Sequence, residues 1–194
     1  MHSVCVFLGS NPGRNPLYRA AACAMGAELA RRGLTTVYGG SNVGLMGALA
    51  NAALEAGGKV IGVIPEVLQQ KELAHTGLTE QHVVASMHER KALMAKLSDG
   101  FVALPGGMGT LEELCEMLTW AQLGFHSKPC GLLDVDGYYA SLGKFFDHAV
   151  AEGFLHGEHR GMLLSAPTPG ELLDGFAHYV APVVNKWIER PQTL

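Results

Sequence analysis

Short runs rich in apolar and β-branched residues, most of them closed by glycine, alternate along this chain with longer segments whose apolar positions recur at helical spacing. The runs Val4 to Leu8, Thr35 to Tyr38, Val60 to Ile64, His82 to Ala85, Phe101 to Leu104 and Cys130 to Leu133 predict strands, with a weaker one near Met162 to Leu164. Several are apolar on consecutive positions, as a parallel sheet covered on both faces requires. The segments between them predict helices over Leu17 to Arg32, Leu45 to Ala56, Met87 to Leu97, Thr110 to Leu123, Tyr139 to Glu152 and Gly170 to Tyr179, with a C-terminal helical segment around Val183 to Glu189. This alternation implies an α/β fold, doubly wound and Rossmann-like, with a mainly parallel sheet of about six or seven strands flanked by helices. No repeat, low-complexity stretch or linker interrupts it, so residues 1–190 read as one domain and residues 191–194 as a loose tail.

Composition narrows the picture. A chain of 194 residues, 48% hydrophobic, has enough apolar material for one well-buried core and little for two. Its 25 glycines are roughly twice the usual share, and charged residues are only 16%, a balance that many tight turns around a buried sheet would produce. Net charge is −4, and the seven lysines and seven arginines are scattered without a run, which excludes the electrostatic footprint of a polymeric nucleic acid binder. A small anion held by local groups stays open. Cys5, Cys23, Cys115 and Cys130 show no metal or redox spacing and stand in apolar segments, as buried reduced thiols of a cytoplasmic protein would. The N-terminal run has no basic region before it and reads as a strand, and no apolar stretch approaches membrane-spanning length, so no membrane partner is expected.

In doubly wound sheets ligands bind beyond the carboxyl ends of the strands, and three loops there are rich in glycine: Gly9-Ser-Asn-Pro-Gly13, Tyr38-Gly-Gly-Ser-Asn-Val-Gly-Leu-Met-Gly47 and Pro105-Gly-Gly-Met-Gly-Thr-Leu-Glu-Glu113. Alone, each is an ordinary strand-to-helix turn; together on one edge they form a candidate site. The third says most. Glycines let the backbone approach a ligand closely, and the free N–H groups of a helix's first turn favour an anion, phosphate above all. None of the three is a P-loop, since Gly39 to Gly44 of the second has the glycine spacing but Leu45 stands where the lysine belongs. Nor is the third a dinucleotide fingerprint, because Gly107-Met-Gly109-Thr-Leu ends in Glu112.

Two groups flank this loop. Thr110 and Glu113 have the spacing of a capping box, which would give Glu113 a structural task. Its position one turn beyond Gly109 and Thr110 would also let the carboxylate reach a sugar attached to the phosphate. Upstream, Met87, Arg90, Met94 and Leu97 share one helix face, so Arg90 interrupts an apolar stripe. Such a charge either finds a carboxylate or ligand anion, or reaches solvent over its neighbours. Lys91 beside it reads as a solvent-facing residue. His156 and His159 lack a convincing third ligand, so no metal is expected. Asp134 and Asp136 stand at a strand end, yet Asp136-Gly137 before Tyr138 is mainly a turn signal. Ser10 and Ser41 have no visible base partner, which leaves a serine-hydrolase reading unsupported.

PGGMGTLEE at 105–113, MHERK at 87–91 and YGGSNVGLMG at 38–47, with the GS turn at 9–10 and DVDGYY at 134–139, together resemble the LONELY GUY (LOG) family of cytokinin riboside 5′-monophosphate phosphoribohydrolases over nearly the whole chain. Members are also labelled lysine decarboxylases, though none of the seven lysines here is marked as a Schiff-base residue. The resemblance implies hydrolysis of the N-glycosidic bond of an N6-substituted adenosine 5′-monophosphate, AMP or isopentenyl-AMP, to free base and ribose 5-phosphate, without cofactor or metal. Arg90 and Glu113 match the family's catalytic pair. Gly9, Ser10, Gly40, Glu72, Met87, Lys91, Gly106, Gly107, Met108, Gly109, Thr110, Leu111, Glu112 and Thr119 match its substrate and phosphate positions. Ser41 departs from it, where many relatives have a third glycine. The family also implies a homodimer or higher homo-oligomer with sites completed across the subunit boundary. Two other functions remain open at this stage: a nucleotide or molybdenum-cofactor carrier of the same fold, and an AMP nucleosidase with no cytokinin role.

Overall fold

The computed structural model describes residues 1–71 and 73–182; Glu72 and residues 183–194, with the helix expected around Val183 to Glu189, lie outside the described residues. Seven strands, β1 (Ser3–Phe7), β2 (Thr35–Tyr38), β3 (Val60–Pro65), β4 (Glu80–Val84), β5 (Phe101–Ala103), β6 (Cys130–Leu133) and β7 (Leu163–Ala166), form one sheet in the order β4-β3-β2-β1-β5-β6-β7. Every neighbouring pair is parallel. The chain therefore builds outward from β1 to β4, then returns to the other side of β1 with β5. That reversal opens a crevice between the ends of β1 and β5, and the Gly9 and Gly106 turns sit in it.

The helices are α1 (Pro16–Arg31), α2 (Gly44–Glu55), α3 (Glu66–Gln69), α4 (Met87–Lys96), α5 (Met108–Gln122), α6 (Ala140–Ala151), α7 (Gly157–Arg160) and α8 (Pro169–Ala177). Side chains of a strand alternate between faces, and β1 shows the result. Val4, Val6 and Leu8 enter a core shared with α1, α2 and α8, while Cys5 and Phe7 enter a second one with α4 and α5. Both cores are closed, so β1 is apolar at every position from Val4 to Phe7. The α1/α2 contact is close: a Cβ on Gly26 would stand 2.4 Å from the Leu49 carbonyl oxygen, so glycine is required there.

The predicted strands and longer helices are all present. The short α3, α7 and the 3-10 turn Val135–Gly137 are additions, each too brief to leave a periodic pattern. α5 starts at Met108, two residues before the expected Thr110, because Gly107 takes the extended N-cap position. The capping box expected at Thr110 and Glu113 is thus not formed, as both residues lie inside the helix. A box-like cap exists instead on α4. Ser86 Oγ accepts from the Glu89 N–H at 3.1 Å, and the Glu89 carboxylate accepts from the Ala85 N–H at 2.9 Å. This fixes the start of α4 and turns Arg90 inward.

Candidate active site

A cavity of about 650 Å³ opens at the carboxyl ends of the strands, and all three glycine loops line it. The loops brace one another. The Gly9 N–H donates to the Pro105 carbonyl at 3.2 Å, and the Leu45 N–H donates to the Gly9 carbonyl at 3.1 Å. Gly44 has a left-handed φ of 58°, and a Cβ there would meet the Ser10 carbonyl oxygen at 2.1 Å.

The third loop is an anion cradle in its chemistry. No side chain caps α5, and the backbone N–H groups of Gly106, Gly107, Met108, Gly109 and Thr110 donate to no protein acceptor among the described residues. Unpaired first-turn donors with the helix dipole behind them attract negative charge. Gly106 is needed by the protein itself, since a Cβ would stand 2.1 Å from Thr110 Oγ1. Gly107 and Gly109 are different: each has a φ open to any residue, and nothing lies within 4 Å of where a Cβ would be. The fold does not demand glycine at either position.

At the inner end stand Arg90 and Glu113, both buried. Arg90 Nε donates to the Val63 carbonyl at 3.0 Å, Nη2 to the Gly39 carbonyl at 3.3 Å and Nη1 to Glu113 Oε1 at 3.3 Å. The guanidinium is anchored and does not reach out to solvent, which removes that alternative. Gly39 makes the fit possible, because a Cβ there would stand 1.8 Å from Nη2. Burial pushes the Glu113 carboxyl above its ordinary pKa, and the attraction of Arg90 opposes this without cancelling it. Oε2 of Glu113 accepts from no protein donor among the described residues, which leaves it for a ligand.

Lys91 corrects an expectation. It is buried between α4 and α5 and pairs with Glu112 and with Glu116, the latter at 3.1 Å. Acids one turn apart on α5 meet the neighbouring helix there, which is why the lysine does not face solvent. Pairing with Glu112 raises its pKa, and it is not part of the cavity wall.

Of the other expected positions, Gly9, Ser10, Met87, Gly106, Gly107, Met108, Gly109, Thr110 and Glu112 line the cavity with Arg90 and Glu113. Gly40, Leu111 and Thr119 do not: Gly40 backs the wall at φ 74°, Leu111 packs into the core, and Thr119 is exposed about three turns along α5. Sequence reasoning missed the apolar end, where Met46, Ile64, Leu68 and Leu73 line the cavity. It also missed a brace from the 134–139 segment. Tyr138 Oη donates to the Gly106 carbonyl and Tyr139 Oη to the Leu104 carbonyl, each at 2.6 Å. The Asp136-Gly137 turn signal before two tyrosines was the available hint. Ser41 lines the cavity and its Oγ accepts from the Val43 N–H at 3.4 Å. Among the described residues no three His, Cys, Asp or Glu side chains gather as a metal site.

Comparison with known proteins follows the same lines. The family described as "Possible lysine decarboxylase" matches residues 46–176. "Cytokinin riboside 5′-monophosphate phosphoribohydrolase LOG3" of Arabidopsis thaliana is 52% identical over 176 residues, covering 91% of this chain and 82% of that protein. "Probable cytokinin riboside 5′-monophosphate phosphoribohydrolase LOGL1" of Oryza sativa subsp. japonica is 51% identical over 176 residues, covering 91% and 79%. Among solved structures, the molybdenum cofactor carrier protein from Chlamydomonas reinhardtii aligns with a TM-score of 0.69 at 23% identity, covering 90% of this chain and 94% of that one. The molybdenum cofactor binding protein from Rippkaea orientalis aligns at 0.67 and 21%, covering 89% and 93%. At these identities the structural likeness is one of fold.

Proposed function

This chain belongs to the LONELY GUY family of cytokinin riboside 5′-monophosphate phosphoribohydrolases, and from that premise we propose how its residues divide the reaction. It hydrolyses the N-glycosidic bond of an N6-substituted adenosine 5′-monophosphate, releasing the base and ribose 5-phosphate. The observation that carries the division of labour is the buried Arg90–Glu113 pair at the inner end of a cavity whose outer loop presents unpaired amides.

The 5′-phosphate sits on the amides of Gly106 to Thr110, and the Thr110 hydroxyl and the Gly9-Ser10 turn complete its cradle. As the glycosidic bond breaks, positive charge develops on the ribose, and Glu113 stabilises it or orients the attacking water. A carboxylate taken out of water acts strongly on such a charge, which gives its costly burial a purpose. Arg90, fixed by its bonds to the Val63 and Gly39 carbonyls, positions the nucleotide and assists the departing base with its positive charge. Ile64, Leu68 and Leu73 support an apolar substituent at adenine N6, and hence isopentenyl-AMP over AMP. Glu72 belongs among the substrate contacts on the family pattern. Decarboxylation is poorly served: no lysine lines the cavity among the described residues, and Lys91 is held charged when a Schiff-base lysine must lose its proton easily.

The test is chromatographic assay of base release from isopentenyl-AMP and AMP. Wild type should prefer the prenylated substrate, and Glu113→Gln should lose turnover by about a hundredfold or more while still binding nucleotide. Full activity in Glu113→Gln would defeat the assignment, and equal rates on the two nucleotides would defeat the specificity. A carrier of this fold would release no ribose 5-phosphate at all.

The assembly belongs to the same proposal. Along α5, Met108, Cys115, Thr119 and Leu123 are all exposed, beside the exposed Met87 of α4. A second copy on this face would cover them and bring Thr119, remote from its own cavity, to the partner's. Light scattering should then give a mass of at least twice 20.6 kDa; a single monomeric species would refute it. A cytoplasmic location is consistent with this, and no helix among the described residues is long and apolar enough to cross a membrane.

A further inference from the structure

The peptide joining Gly106 to Gly107 has no side chain on either residue to orient it. Glycine on both sides removes the Cβ contacts that hold a peptide plane one way up, so the plane turns over at little cost. A side chain cannot stiffen it. At 106 a Cβ would collide with Thr110 Oγ1, and at 107 it would occupy space left open to the ligand. One orientation offers the Gly107 N–H to an anion. The other offers the Gly106 carbonyl oxygen, whose partial negative charge repels it.

One side chain decides between them. Tyr138 Oη donates to the Gly106 carbonyl at 2.6 Å. The Gly106–Gly107 peptide is trans, and a trans peptide points its N–H opposite its carbonyl, so this bond turns the Gly107 N–H away from the Tyr138 hydroxyl. The preceding carbonyls are held too, Pro105 by the Gly9 N–H and Leu104 by Tyr139 Oη. Tyr138 is itself fixed. Asp136 and Gly137 turn the chain with left-handed φ of 55° and 71°, Asn15 Nδ2 donates to Asp136 Oδ2 at 3.0 Å, and the Tyr138 ring packs edge-on against Tyr18 at 5.4 Å and Tyr139 at 4.9 Å.

We propose that Tyr138 is a positioning residue whose hydroxyl locks the Gly106–Gly107 peptide with its N–H toward the 5′-phosphate, and so sets affinity for the phosphate without touching the bond that breaks. This rests on the phosphate cradle of the proposed function. Tyr138→Phe keeps the ring and its packing and removes only the hydroxyl. Calorimetric titration with ribose 5-phosphate, which needs no turnover, should show affinity about fivefold to tenfold weaker in the variant, as loss of one hydrogen bond in the frame would give. Adenosine, which has no phosphate, should bind both proteins equally, and the melting temperature should hold. In turnover, KM for the nucleotide should rise by the same factor with kcat little changed. Equal ribose 5-phosphate affinities would overturn the proposal, as would a parallel loss for adenosine, and failure of wild type to bind ribose 5-phosphate would overturn the cradle with it. Intact binding without turnover would instead count against the hydrolase reading alone.

Discussion

Glu113 works against the fold that holds it. Burial raises its pKa above the ordinary 4.5 despite Arg90, so the folded state favours the protonated form. A group whose folded pKa is raised contributes its stability at low pH and loses it as pH rises through the folded value. Wild type should therefore lose stability relative to Glu113→Gln as pH climbs from about 4.5 upward. Activity should rise over that same window, because only the ionised carboxylate can meet the ribose cation. Thermal unfolding of both proteins across pH, beside the wild-type rate profile, checks the sign; a wild type that gains on the variant with rising pH would contradict it. The pair itself was legible from sequence, as an arginine in an apolar stripe and a carboxylate one turn past a glycine loop. Lys91 was misjudged because its partners, Glu112 and Glu116, lie on another helix, and pairing between elements leaves no mark in local periodicity.

At the scale of elements, a helix after the third glycine loop was legible in the sequence but its first residue was not. Thr-x-x-Glu looked like a box, whereas glycine at 107 can also serve as N-cap and leaves the amides unclaimed. The true box, Ser86 with Glu89, carries the Ser-x-x-Glu form of the same signature. The second residue of α5, Gly109, gives a sharp test. Alanine suits a helix better than glycine by roughly 0.5–1 kcal/mol, and no atom stands in the way of its methyl group. Gly109→Ala should thus melt about 2–3 °C higher than wild type and bind ribose 5-phosphate more weakly. Lower stability would mean the fold needs that glycine; unchanged binding would mean the ligand does not approach there.

The order and direction of the strands position the whole site. Alternation of strand and helix announced a doubly wound sheet, and continuously apolar strands announced that both faces are covered. Neither discloses the crossing of Tyr138 onto Gly106 or of Leu45 onto Gly9, since these join segments far apart in sequence through single bonds. Those crossings also have a consequence in time. With Gly9 bonded on one side to the loop after β5 and on the other to the start of α2, moving any one of these three segments breaks a bond to its neighbour. Deuterium exchange should find the Gly9 and Leu45 amides about as slow as those of β1, and fast exchange at either would show a loop that moves independently. Slow exchange at both would mean that these loops stand still while substrate and product pass between them.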